Sequence, residues 1–143
     1  MAIINTKIRT LAFLQLFIGI GAFAGGLGFV MDPTGVNLGF LIDWLDRSVF
    51  SSYLIPGLIF IFILGFGNIF GSIFTLKKNK KSGIIASFLG FYLMMWMITH
   101  LVVFPFHWIH LLYLLFGFAE VLLGIAVYLA NFSQHMTKKV PLM

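Results

Sequence analysis

The sequence predicts an all-α integral membrane protein: a bundle of four transmembrane helices with a short amphipathic helix in the first extracytoplasmic loop. Three observations lead there. The chain is 61% hydrophobic and 9% charged, with a mean hydropathy of +1.08, whereas soluble domains have about 45–50% apolar and about 25% charged residues. Four apolar runs each reach the roughly 20 residues that a spanning helix needs. The basic residues gather at alternate connections between those runs. At 143 residues the chain makes a single domain.

The first span is expected over 8–31. Lys7 and Arg9 stand ahead of an apolar run that reaches Ala22-Phe23-Ala24, the outline of a signal peptide with a small-residue cleavage site. The run continues to Val30, so it reads as a retained helix. The second span is expected over 53–76, with Pro56 in its first turn, where the missing N–H costs nothing. The third is expected over 83–104 and the fourth over 107–131. None of these runs alternates apolar and polar residues as the strands of a membrane barrel do.

Charge sets the topology. Lys7, Arg9, Lys77, Lys78, Lys80, Lys81, Lys138 and Lys139 fall on one side of a four-span chain, and Arg47 alone falls on the other with Asp32, Asp43 and Asp46. The positive-inside rule then places both termini in the cytoplasm. The net charge of +5 reads as this topology signal, with membrane lipids as neighbours and no nucleic acid as partner. The absence of cysteine excludes disulfides and thiolate sites.

The long first loop opens with the turn-forming string Asp32-Pro33-Thr34-Gly35. Over 38–50, Leu38, Leu41, Ile42, Leu45 and Val49 share one face and Asp43, Asp46 and Arg47 lie off it. That pattern predicts an interfacial helix, or a lid over the bundle mouth. Within the spans, glycines recur at spacings that make smooth strips for close helix packing: Gly19 and Gly26, Gly67 and Gly71, Gly83 and Gly90, Gly117 and Gly124. Such strips serve internal packing or self-association equally well.

Two polar constellations stand out. Glu120 lies near the middle of span four, on the face of Gly117, Gly124 and Tyr113, and so points into the bundle. A charge at that depth costs about 2.5–3.5 kcal/mol, so the carboxyl is expected to be protonated or partnered. Asn68 on span two lies at a similar depth and is the expected partner. Gln15 on span one faces the same way as Gly19 and Ala22 but lies nearer the cytoplasm. Glu120 reads either as a proton- or ligand-coupling group or as interhelical glue. The second constellation is His100, His107 and His110, brought to one level by the tight turn at Pro105, with Asp32, Asp43 and Asp46 on the same side. Imidazoles with a carboxylate suit zinc or copper, and paired imidazoles suit haem; as amphipathic residues they suit a membrane interface equally.

Asp32-Pro33-Thr34-Gly35 followed by Ser52-Tyr53-Leu54-Ile55-Pro56-Gly57-Leu58 resembles a pattern of uncharacterised small bacterial four-helix membrane proteins. The resemblance implies a bacterial cytoplasmic membrane protein. Small multidrug transporters are similar in having four short spans and one membrane glutamate, there in the first span and here in the fourth. No nucleotide-binding loop and no His-Glu-x-x-His site is present, so an enzyme is not expected. The leading expectation is a protein that binds a lipid, a hydrophobic small molecule or a larger membrane partner. A dimeric proton-coupled transporter using Glu120 and a metal- or haem-binding redox protein are the alternatives.

Overall fold

The computed structural model describes the backbone of residues 2–139 and the side chains of residues 4–133. The side chains of Lys138 and Lys139 lie outside the described residues. Helices α1 (Ala2–Met31), α2 (Leu54–Ile59), α3 (Gly67–Leu76), α4 (Ser82–Val103) and α5 (Trp108–Lys139) are joined into four long rods, because a π-helical stretch, Phe60–Phe66, runs α2 into α3 without a break. The four segments long and apolar enough to cross a membrane are Ile4–Met31, Leu54–Leu76, Ser82–Val103 and Trp108–Ser133. They match the expected spans to within a few residues. Bulky side chains such as Phe13, Phe17, Phe88, Phe91 and Val102 are exposed on the outside of the bundle, which is compatible with a lipid surrounding.

Each rod packs on two neighbours, so α1, α2–α3, α4 and α5 form a closed ring. Glycine sets the closest approaches. On the α4–α5 pair, a methyl added to Gly83 would stand 2.5 Å from the Gly124 carbonyl oxygen, and one added to Gly90 would stand 2.6 Å from that of Gly117. The converse methyls, on Gly124 and Gly117, would meet the Gly83 and Gly90 carbonyls at 2.7 and 2.8 Å. Backbone thus lies on backbone at two levels seven residues apart. In lipid this packing supplies the attraction that apolar burial cannot.

The α1 pairing explains the π stretch. On α1 the contact glycines, Gly19 and Gly26, are seven residues apart; on the second rod Gly57 and Gly65 are eight apart. At about 100° per residue an eight-residue step misses two full turns by roughly 80°. The wider π turn takes up the extra residue. Gly57 and Gly65 then both face α1: a methyl on Gly26 would lie 2.7 Å from the Gly57 carbonyl oxygen, and one on Gly19 would lie 3.0 Å from that of Gly65.

The long loop departs from expectation. The single amphipathic helix expected over 38–50 is replaced by two 3-10 turns, Val36–Leu38 and Ile42–Arg47, separated by Gly39 at φ 76°. An α-helix cannot run through that left-handed residue. Of the expected apolar face only Leu45 is buried, and Val49 is 93% exposed. Local hydrogen bonds decide the path: the Asp32 carboxylate accepts from the Thr34 hydroxyl, from the Thr34 N–H at 3.1 Å and from the Asn37 N–H at 2.8 Å. Tyr53 then pins the loop to the bundle. Its N–H donates to the Pro33 carbonyl at 2.9 Å and its hydroxyl to the Leu41 carbonyl at 2.8 Å. Its buried ring stacks on Phe29 with centroids 5.0 Å apart and on Phe104 at 6.1 Å. The Asp32–Gly35 and Tyr53–Leu58 segments therefore meet, and Gly35, at φ 75°, leaves room for the Tyr53 ring.

Three outcomes follow from this packing. Gly90→Ala overpacks a backbone contact and costs about 1–3 kcal/mol, whereas Gly25→Ala, with nothing within 4 Å of the new methyl, leaves the melting temperature in detergent unchanged or raises it. Burial pushes the Tyr53 phenol up to about 12. Its contribution to stability is whole below the ordinary value of 10.0 and is lost as pH rises toward 12. Tyr53→Phe forfeits one hydrogen bond, about 1 kcal/mol, and flattens that alkaline slope in a pH series of thermal melts. The Thr34 hydroxyl, then the Asn37 N–H, hold Asp32 below its ordinary 3.8. Loop order, read by Trp44 fluorescence, therefore persists above that value and is lost as pH falls through the lowered one; Asp32→Asn removes the acid transition.

Candidate functional site

Down the middle of the ring the side chains fall into layers. One apolar cluster contains Ile18, Ala22, Leu64, Leu93 and Met97, toward the end that carries the long loop. A second contains Ile8, Leu11, Ala86 and Val127, toward the end that carries Lys77–Lys81. Between them, in the order of residues along each rod, come Gln15 of α1, Asn68 of α3 and Glu120 of α5, each with no exposed surface. Buried Ser72 and Thr75 extend this polar layer along α3 toward the lysine end, and Ser82 lies buried at the start of α4.

The glycine contacts aim the carboxyl. Gly117 and Gly124 hold one face of α5 against α4, and Glu120 lies between them on that face. A methyl on Gly90 would come 3.0 Å from the Glu120 Cβ, so α4 admits the side chain only because it has no side chain there itself. Gly71 does the same for Gln15: a methyl there would stand 2.7 Å from Gln15 Nε2.

Hydrogen bonds fix some of these groups and leave others free. The Thr75 hydroxyl donates to Gln15 Oε1 at 2.8 Å, and the Ser72 hydroxyl donates to the Ala12 carbonyl at 2.8 Å. With its oxygen taken, Gln15 offers its amide N–H groups; its side chain lies within interaction range of the Glu120 carboxyl. The expected bond from Asn68 to Glu120 is not formed. Asn68 donates instead to the Leu64 carbonyl of its own rod at 3.0 Å. Equal depth along two helices does not fix rotation, and an acceptor one turn back is reached without crossing the bundle. Gln15 Nε2, Asn68 Oδ1 and both Glu120 oxygens are buried with no hydrogen-bond partner among the described residues. The layer therefore holds the Gln15 amide donor, the Asn68 acceptor oxygen and a carboxyl that donates when protonated and accepts when ionised, at a depth where unsatisfied polar atoms are costly.

Other expected members fall elsewhere. Gln15, expected nearer the cytoplasm, belongs to the same layer as Glu120. Tyr113 packs with Phe116 on the apolar cluster beyond the layer, its hydroxyl against Gly21 of α1. Sequence reasoning passed over Ser72 and Thr75, although Asn68, Ser72 and Thr75 stand at i, i+4 and i+7 and so share a helix face.

At the long-loop end the His100 and His110 rings meet edge to face, with centroids 5.9 Å apart. His107 is placed differently: its N–H donates to His110 Nδ1 at 3.2 Å, and its own Nδ1 accepts from the Ile109 N–H at 3.4 Å. Asp32 is engaged in its turn, and Asp43 and Asp46 are exposed. Among the described residues no three His, Cys, Asp or Glu side chains gather as a metal site would require. Comparison with known protein families, with curated proteins and with solved structures finds no match for this chain.

Proposed function

We propose that this protein is a small multi-pass membrane carrier in which Glu120 takes up and releases a proton at the middle of the bilayer. The observation that carries the reading is the sealed polar layer, with both Glu120 oxygens and Asn68 Oδ1 buried between two apolar clusters and without a hydrogen-bond partner among the described residues. In the closed bundle the carboxyl holds its proton, since a charge there costs about 2.5–3.5 kcal/mol. When the bundle parts, water enters and the proton leaves, and the Gln15 amide is placed to donate to the carboxylate left behind. The direction of opening is supported by asymmetry. Apolar clusters close both sides, but the lysine side also buries the hydroxyl side chains of Ser72, Thr75 and Ser82, whereas the buried members of the cluster on the other side are Ile18, Ala22, Leu64, Leu93 and Met97. The positive-inside rule makes the lysine end cytoplasmic.

A second reading draws on a separate observation. A cleft of about 370 Å³ at the long-loop end, walled by aromatic side chains, supports a binding role toward a hydrophobic molecule.

Glu120 is the chain's one glutamate and the other three acids are exposed or half-buried loop aspartates. Infrared spectroscopy at neutral pH is therefore expected to show a single protonated-carboxyl band, shifted by deuterium. Glu120→Gln removes the band and abolishes voltage-driven proton uptake into proteoliposomes, with the melting temperature kept or raised. Undiminished proton uptake by the Gln variant would overturn the carrier reading.

A further inference from the structure

The long-loop cleft is walled by Phe40, Trp44, Phe104 and Phe106 and bordered by His107 and His110. Its volume of about 370 Å³ lies in the range of ligand pockets, roughly 300–1,000 Å³. The hydrogen bonds at its rim define what the two imidazoles offer. His110 Nδ1 accepts the His107 N–H, and His107 Nδ1 accepts the Ile109 N–H. A nitrogen that accepts carries no proton, so each neutral ring bears its proton on Nε2. Neither Nε2–H has an acceptor among the described residues. His110 is 6% exposed as a residue and lines the cleft, so its Nε2–H is free to bond a ligand seated there.

Those features select a ligand chemistry. Aromatic walls favour a flat ring, and free N–H donors suit acceptor oxygens. No cation borders this cleft: Arg47 lines the neighbouring one, across Trp44 and Phe104. A carboxylate or phosphate would be desolvated here without a counter-charge, whereas a neutral carbonyl would not. Exposed Phe106 and Ile109 lead from the cleft to the outer surface, a path for an apolar tail.

We propose that the cleft binds the ring of a lipid-soluble quinone, with His110 Nε2–H donating to a ring carbonyl oxygen and His107 supporting it. The assignment rests on the binding reading above and is independent of Glu120.

Titration of the purified protein with a short-tailed ubiquinone, read by tryptophan fluorescence, tests it. Saturable quenching is expected, weakened about tenfold or more by His110→Leu and partly restored by His110→Gln, which returns an N–H donor. His107→Leu, at an exposed position, weakens binding less and keeps the test open if the His110 variants fail to fold. Glu120→Gln leaves the titration unchanged. Quenching that is equal in the His110→Leu and His107→Leu variants, or quinone displaced as well by a saturated fatty acid of similar length, overturns the assignment. If the quinone fails to bind but an apolar fluorescent dye binds saturably, the quinone assignment falls and the binding reading stands; if neither binds, both fall.

Discussion

Gly83 against Gly124, and Gly90 against Gly117, bring the backbones of α4 and α5 into direct contact at two levels, and that contact governs the rotation of α5. Two fixed points on one helix face leave no freedom to turn. Glu120, midway between Gly117 and Gly124, must then face the bundle interior. The opposite orientation would place a carboxyl in hydrocarbon with no partner at all. The same contact leaves no side chain at Gly90, where the Glu120 Cβ comes close, so packing and chemistry share one set of residues. In a lipid surrounding no apolar driving force acts between helices, and there the close backbone approach could not be traded for larger side chains.

The π stretch Phe60–Phe66 solves a related problem on the other side of the ring. It brings Gly57 and Gly65 to one face, and it lies directly ahead of Asn68. The second rod thus changes its winding immediately before it contributes to the polar layer. Wider helical turns recur at functional positions because they free backbone groups from the regular ladder. Here the Leu64 carbonyl, within the stretch, accepts the Asn68 amide and turns the asparagine oxygen loose inside the bundle.

Much of this was legible in the residues. Hydropathy located four helices because spanning segments must be long and apolar, and glycine spacing of seven identified the faces that pack. Glu120 announced its orientation through Gly117 and Gly124. What escaped prediction depends on rotation and on local hydrogen bonding. Asn68 matches Glu120 in depth, but its amide finds a nearer acceptor. The π stretch has no hydropathy signature; only the mismatch between a spacing of seven on α1 and of eight on the second rod betrays it. The loop helix failed because periodicity over 38–50 was outweighed by Asp32 binding two backbone N–H groups and by the left-handed Gly39. Tyr53 is central to the loop but carries no pattern that marks it, since its partners come from residues far apart in the chain.

The polar layer divides unequally between the two halves of the molecule, and that division bears on assembly. Gln15, Asn68, Ser72 and Thr75 belong to the hairpin of α1 with α2–α3, where Thr75 bonds Gln15, and Ser72 and Asn68 bond the Ala12 and Leu64 carbonyls. Glu120 belongs to the hairpin of α4 with α5. The second hairpin closes over a turn of a few residues, at little entropic cost, and its glycine contacts need nothing from the first. Were it to form alone in a bilayer, its acid would face lipid, and docking of the two hairpins would be what shelters the carboxyl. In such a surrounding Glu120 would make the unassembled half the less comfortable, and would give the chain a reason to complete its fold.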